Sequence, residues 1–296
     1  MKRCLPFLLS LLLLCACSMP ATAAQEDTYR TLYASEVTTL NYLYTASTNE
    51  FAVAANVIDT LVEYDRFGRV QPSLAERWET SADGLTWTFH LRSGAQWVDC
   101  QGNKVADVKA QDFVDAARYV LDGKNACSTA NIMYDVIAGA KAYYDATSPA
   151  VEGEAKKEPQ TPDFEAVGIK ALDDATLTYT LVAPTPYFLS MVTYVCFMPV
   201  NGEFLAQQGE NFGAYNDAIL YNGAYILSTF EPQSMRVYTR NEAYWDKANV
   251  HIAEIEQIYN KEAATIAPEM FRRGEIDDAS ISSDILDDWM ASPDTA

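Results

Sequence analysis

The stretch Ser73–Cys100, "SLAERWETSADGLTWTFHLRSGAQWVDC", carries the clearest structural signal in the chain. From Leu85 to Leu91 apolar and polar residues alternate. Leu85, Trp87, Phe89 and Leu91 fall on one face and Thr86, Thr88 and His90 on the other, the period of a half-buried strand. Arg77 to Ser81 supplies a partner strand, and Ala82-Asp83-Gly84 a short turn whose glycine tolerates positive φ. On this pattern Trp87 and Trp97 are core aromatics.

Working outward, the chain has 296 residues, 49% apolar and 12% aromatic, enough to bury a substantial core. A formal charge of -20 argues against nucleic-acid binding, because a phosphate backbone repels so acidic a surface. It suits a solvated, exported protein. Lys2 and Arg3 precede the apolar run Leu5–Leu14, which is too short to span a bilayer and has the form of a signal-peptide core. The following Leu14-Cys15-Ala16-Cys17-Ser18 resembles the bacterial lipobox, which makes Cys17 the lipidation candidate and residues 1–17 the leader. Ordinary cleavage after Ala23 or Ala24 is the alternative. Cys100, Cys127 and Cys196 do not form a disulfide framework, although a Cys100–Cys127 pair is open; Cys196, in "TYVCFMPV", reads as a buried hydrophobe.

Residues 18–27 read as a tether. A strand follows at Tyr29–Ala34, then a turn-rich stretch, then a helix on which Phe51, Ala55, Ile58 and Val62 recur. A second helix presents Ala110, Phe113, Val114, Ala117, Val120 and Leu121 on one face, poorly capped by Lys109. Another is expected over Ile132–Asp145 and a solvated loop over Thr147–Asp163. A second hairpin alternates Val167, Ile169 and Ala171 with Leu177, Tyr179 and Leu181 around Asp173-Asp174-Ala175, and Thr185-Pro186 opens a helix. Two strands flank the turn Glu231-Pro232-Gln233-Ser234. Then come a strand at Ile252–Tyr259, a helix at Ala263–Arg273 stopped by Gly274, and a short strand at Ile276–Ile281, which together form an α/β unit.

Ser73–Asp99 together with "VKAQDFVDAARYVLD", "VGIKALDDATLTYTL", "PTPYF", "YNGAYIL", "RNEAYW" and "FRRGEID", in this order, resembles the extracytoplasmic solute-binding proteins of family 5, the oligopeptide- and dipeptide-binding class of ABC importers. The resemblance implies an α/β fold of the periplasmic-binding-protein type (type II, cluster C) with three lobes, a peptide being enclosed between lobes I and III. Residues 28–51 and 167–296 then belong to lobe I and residues 52–166 to lobe II. Main-chain groups of Ala46, Ser47 and Thr48 match the positions that pair with an extended peptide; an ordinary turn before a helix is the alternative for each. Ala46 stands where some relatives place an acidic side chain, which leaves the ligand's charge preference open. Tyr134 and Tyr221 are further contact candidates because tyrosine joins an apolar ring to a polar tip, with packing as the alternative for each. Family members continue for about another domain's worth of residues. Lobe III is therefore expected to be missing, leaving an incomplete cleft that binds peptide weakly, whether through a truncated gene, a fragment or a short form.

The expected partners are a peptide, ABC permease subunits and a membrane reached through the lipid anchor, for a monomer with no cofactor, metal or nucleic acid. A metal chelate or an oligosaccharide as cargo, and a surface lipoprotein that transports nothing, are the competing readings. An enzyme is disfavoured: the sequence has no GxSxG, HExxH or P-loop, and its two histidines, His90 and His251, lack partners at triad or ligand spacing. Asp173-Asp174 suits a turn and Asp287-Asp288 a solvated helix face. If Cys17 carries lipid, cells fed a clickable fatty acid will label the wild type and not Cys17→Ser; equal labelling refutes the assignment.

Overall fold

Strand β1 (Thr28–Tyr33) is the first described element, and helix α1 (Thr48–Val57) follows after a long connection. The computed structural model describes residues 27–150 and 163–291, so Cys17, the leader, nearly all of the tether and most of the 147–163 loop lie outside the described residues. Strands β2 (Val62–Tyr64), β3 (Val70–Pro72), β4 (Ala75–Thr80), β5 (Thr86–Leu91), β6 (Gln96–Val98) and β7 (Lys104–Asp107) lead into helices α2 (Ala110–Leu121), α3 (Ala130–Tyr134) and α4 (Ala140–Thr147). Strands β8 (Ile169–Asp173) and β9 (Thr176–Thr180) precede the short helices α5 (Phe188–Met191) and α6 (Gly202–Gln208). Strands β10 (Tyr225–Glu231), β11 (Met235–Arg240) and β12 (Glu254–Tyr259) are followed by helices α7 (Ala263–Arg272) and α8 (Leu286–Met290).

The alternation in the opening stretch is realised. Trp87, Phe89 and Leu91 are buried while Thr86, Thr88 and His90 are half-exposed, and β5 pairs antiparallel with β4, Trp78 opposite Phe89. Gly84 turns the hairpin at φ 72°, and the Asp83 carboxylate accepts the Leu85 N–H at 3.1 Å. On its other edge β5 pairs with β9, giving a four-stranded sheet in the order β4-β5-β9-β8. The 167–181 hairpin thus joins the sheet of the 73–91 strands, not the sheet of β1. Leu177 and Tyr179 are the reason: their burial depends on facing the aromatic side of β5, with Tyr179 5.9 Å from Phe89, edge to face.

The other four-stranded sheet runs β1-β12-β11-β10, with β1 parallel to β12 from Thr28 opposite Glu254 to Tyr33 opposite Tyr259. The two halves are joined where Val98 and Tyr221 exchange backbone hydrogen bonds at 2.8 and 2.9 Å. One contiguous buried cluster runs through both.

Several local expectations are corrected. Helix α1 buries Val53, Ala54 and Val57 and exposes Ala55, and Ile58 and Val62 follow its end; its small apolar residues occur all round the helix and define no single stripe. The 132–145 helix is two helices, broken at Gly139, whose φ of 74° and close approach to the Ala166 carbonyl exclude a side chain. Residues 276–281 form no strand: Asp277 accepts the Arg30 N–H through its carboxylate at 2.7 Å and donates its own N–H to the Arg30 carbonyl, ending the pairing after one residue. Thr185 does not cap α5, its hydroxyl being turned back to the Ala183 carbonyl. Cys100 and Cys127 are free thiols.

The poor cap at Lys109 is compensated from within the helix. Buried Asp112 accepts the Lys109 N–H and the Trp97 indole N–H, each at 2.8 Å and both on Oδ2. Burial pushes its carboxyl up to about 6, which the two hydrogen bonds only partly offset. The folded state therefore retains a proton that the unfolded chain releases near pH 4, and stability falls, on the order of 3 kcal/mol, as pH rises from about 4 to about 6. Asp112→Asn keeps an acceptor for both donors, so thermal melts across that window will be flatter than for the wild type. An unchanged slope would contradict this account.

Candidate functional site

After β1 the chain is held at a series of fixed points. Glu36 accepts from the Tyr33 hydroxyl at 3.0 Å and the Gln233 N–H at 2.7 Å, and pairs with buried Arg236 of β11. Burial opposes its charge, but the donors outweigh it and hold the Glu36 carboxyl below its ordinary value. Next, Leu40 donates its N–H to the Gly213 carbonyl at 2.8 Å and Asn41 its side-chain amide to the Tyr119 hydroxyl of α2 at 2.9 Å. The buried Tyr42 ring places its hydroxyl on the Pro199 carbonyl at 2.7 Å, and the Tyr44 carbonyl accepts the Ser128 N–H at 3.0 Å.

The far end of this segment is closed by α1. Ser47 is its N-cap, accepting from the Asn49 N–H at 3.3 Å, and Glu50 stands in its first turn, the Ser-x-x-Glu pattern of a capping box. Glu50 is only 3% exposed, and its Oε1 reaches across to accept both the N–H and the hydroxyl of Thr38, at 2.8 and 2.9 Å. Burial opposes this charge too, but hydrogen bonds from Ser47 and Thr38 prevail and keep the carboxyl below its usual range.

Between these fixed points lies the expected contact segment. Ala46 and Thr48 are exposed and Ser47 is half-buried. The Ser47 N–H is taken by the Thr45 hydroxyl at 2.9 Å and its carbonyl by the Phe51 N–H. Among the described residues, neither the N–H nor the carbonyl of Ala46, nor the N–H of Thr48, has a hydrogen-bond partner. The segment therefore offers a rigid, solvent-facing piece of main chain at Ala46 and Thr48, with Ser47 as its brace. Tyr134 is half-buried, its ring 4.7 Å from Tyr144 with Lys141 over it. Tyr221 is corrected as a contact candidate: it is 0% exposed and its hydroxyl is held by the Asn216 carbonyl, so packing is its role. His90 faces Glu79 at 3.3 Å on the surface. The Glu50 clamp was missed in the sequence although its Ser-x-x-Glu signature was legible; Tyr44, Ser128 and Tyr119 carry no local signal, because only the fold brings them together.

The chain belongs to the bacterial extracellular solute-binding proteins of family 5, whose middle-region model matches residues 69–291. It is 37% identical over 273 residues to the oligopeptide-binding protein AliA of Streptococcus pneumoniae, a match covering 91% of this chain and 39% of AliA. The oligopeptide-binding protein AliB of the same species is 38% identical over 248 residues, 83% of this chain and 35% of AliB. Among solved structures, the substrate-binding domain of an oligopeptide ABC transporter from Bacillus anthracis superposes with a TM-score of 0.79 at 27% identity, covering 91% of this chain and 48% of that one. The peptide-bound OppA of Listeria monocytogenes shares the fold at a TM-score of 0.78. The chain thus spans between a third and a half of the length of these relatives, and its fold is the α/β fold of the solute-binding proteins.

Removing the clamp tests the site's rigidity. Glu50→Ala removes the acceptor of two Thr38 donors and is expected to cost about 0.5–1.5 kcal/mol and to speed amide exchange at Thr38 and Ser47. Glu50→Gln, which keeps the acceptor, will retain most of the protection. Because the folded carboxyl is lowered, the clamp's contribution is present above the ordinary glutamate range and is lost as pH falls below it. Wild-type exchange rates in Glu50→Ala would remove the clamp from the account.

Proposed function

We propose that this chain supplies the peptide-contacting wall of an extracytoplasmic binding protein that hands peptides to an ABC permease. The observation that carries the reading is the exposed, immobilised segment Ala46–Thr48 with unpaired main-chain groups. An extended peptide laid along it exchanges backbone hydrogen bonds, as a strand added to an edge does, so it is held without its side chains being read. Each such bond contributes about 1 kcal/mol net, and pre-ordering of the segment lowers the entropic cost of forming it. The names of the relatives, oligopeptide-binding proteins, support peptide as the ligand.

In this reading β1, its connection to α1 and the β10–β12 sheet belong to lobe I. The strands and helices from β2 to α4 belong to lobe II, and the opposite wall is the lobe III that the unmatched length of the relatives would provide. The protein acts as a monomer, tethered by lipid at Cys17, and leaves its peptide chemically unchanged.

Backbone resonances of the full chain provide a test that detects even weak binding. Adding a mixture of tetrapeptides will shift the amides of Ala46 and Thr48 saturably, and Ala46→Pro, which deletes one donor, will weaken the response about tenfold. Shifts confined to other surfaces, or peptide cleavage seen by mass spectrometry, would overturn the reading.

A further inference from the structure

Charge is distributed very unevenly along this chain, and the uncharged parts meet at residues on either side of Ala46 in sequence. From Val37 to Ile58 the one charged residue is Glu50, which is buried and spent on Thr38. From Asn125 to Tyr134 there is none, and from Thr176 to Gly202 there is none, in a chain of which 21% is charged and whose formal charge is -20. Contacts bring the three stretches together. The Ser128 N–H meets the Tyr44 carbonyl at 3.0 Å, the Tyr42 hydroxyl meets the Pro199 carbonyl at 2.7 Å, and the Tyr194 ring sits 5.4 Å from Phe51, edge to face. Phe51 lies one helical turn beyond Thr48, on the same side of α1.

Two partly exposed aromatic rings adjoin the segment, Tyr44 at 45% two residues before Ala46 and Tyr194 at 37% against Phe51. The nearest charges in sequence on the 125–134 stretch are Lys124 and Asp135, outside its two ends. Asp122 acts on buried Cys127, beside Ser128, from outside these stretches, and salt screens exposed charges beyond about 8 Å at physiological ionic strength. A cationic or anionic ligand side chain laid over this face would shed water and gain no counter-charge. An aromatic or aliphatic one would cover the exposed rings.

Resting on the reading that Ala46–Thr48 takes an extended peptide, we propose that this face selects for ligands: peptides whose side chains over Ala46 are uncharged and apolar are bound in preference to lysine- or glutamate-bearing ones. Main-chain pairing supplies affinity common to all peptides, and Tyr44 and Tyr194 are the specificity-determining residues.

The full chain is titrated with end-blocked tetrapeptides of sequence Ala-Phe-Ala-Ala, Ala-Lys-Ala-Ala and Ala-Glu-Ala-Ala, dissociation constants being read from the amides of residues 44–48. The phenylalanine peptide is expected to bind about tenfold more tightly than either charged one, with no dependence on salt between about 50 and 500 mM. Tyr44→Ala and Tyr194→Ala will each shrink that preference while an end-blocked Ala-Ala-Ala-Ala control binds as it does to the wild type. Ala46→Glu will turn the preference toward the lysine peptide and make binding fall with salt. Equal or tighter binding of the lysine peptide by the wild type, weakening with salt, would overturn the selection while leaving peptide binding intact. Failure of every peptide to shift those amides would overturn the peptide-binding reading and this inference with it.

Discussion

Phe188 is fully buried where four other aromatic rings meet: Tyr179 at 5.3 Å, Trp87 at 5.6 Å, Phe197 at 6.0 Å and Phe89 at 6.4 Å. Two of these come from β5, one from β9 and one from the turn after α5, so a single side chain locks the central sheet to the segment that leaves it. Aromatic pairs add about 0.5–1.5 kcal/mol each beyond their buried area, which makes the cluster a major local source of stability. Its position also decides the site. Two residues after Phe197 the Pro199 carbonyl receives the Tyr42 hydroxyl, and Tyr42 is four residues from Ala46. Core packing is transmitted to the contact segment through one hydrogen bond and a short run of chain.

Polar contacts complete what the core begins. Glu36 with Arg236 and Glu50 with Thr38 are partly buried interactions that cross long sequence separations or close a loop, whereas ion pairs such as Lys104 with Asp107 and Lys141 with Asp145 lie exposed on the surface. Exposed pairs contribute little, typically below 1 kcal/mol. A buried carboxylate deprived of its donors is costly, and that asymmetry fixes the conformation of residues 36–50 more firmly than attraction alone would.

Elements with a strict period were legible in the sequence. β5 alternates without exception, and α2 carries a clean apolar stripe, so both were placed within a residue or two. α1 was misphased because alanines on every side of it blur the stripe, and the break at Gly139 escaped notice because a glycine inside an amphipathic run is also tolerated by helices. The partnership of β9 with β5 was invisible, since register between strands far apart in sequence depends on which aromatic faces meet. At the site, the segment Ala46–Thr48 came from family resemblance alone; its rigidity came from Glu50, whose partner Thr38 nothing in the local pattern identifies. Tyr221 shows the converse, a residue whose chemistry suits a ligand and whose burial reserves it for the core.

Recognition through main-chain groups has a built-in consequence. Every peptide carries the same backbone donors and acceptors, so on the proposed reading hydrogen bonds at Ala46 and Thr48 would not discriminate between sequences, and any preference would arise from what the ligand's side chains touch. In a chain this acidic, the lack of an exposed charge on the stretches that meet there has a physical effect: a charged side chain on them would favour ligands of the opposite sign through a field that water exclusion strengthens. With Glu50 turned inward to the clamp and Tyr44 exposed, the proposed capture by the main chain of Ala46 would be joined by apolar contact and not by the Glu50 charge. The same carboxylate that makes the segment rigid is thereby kept from the surface.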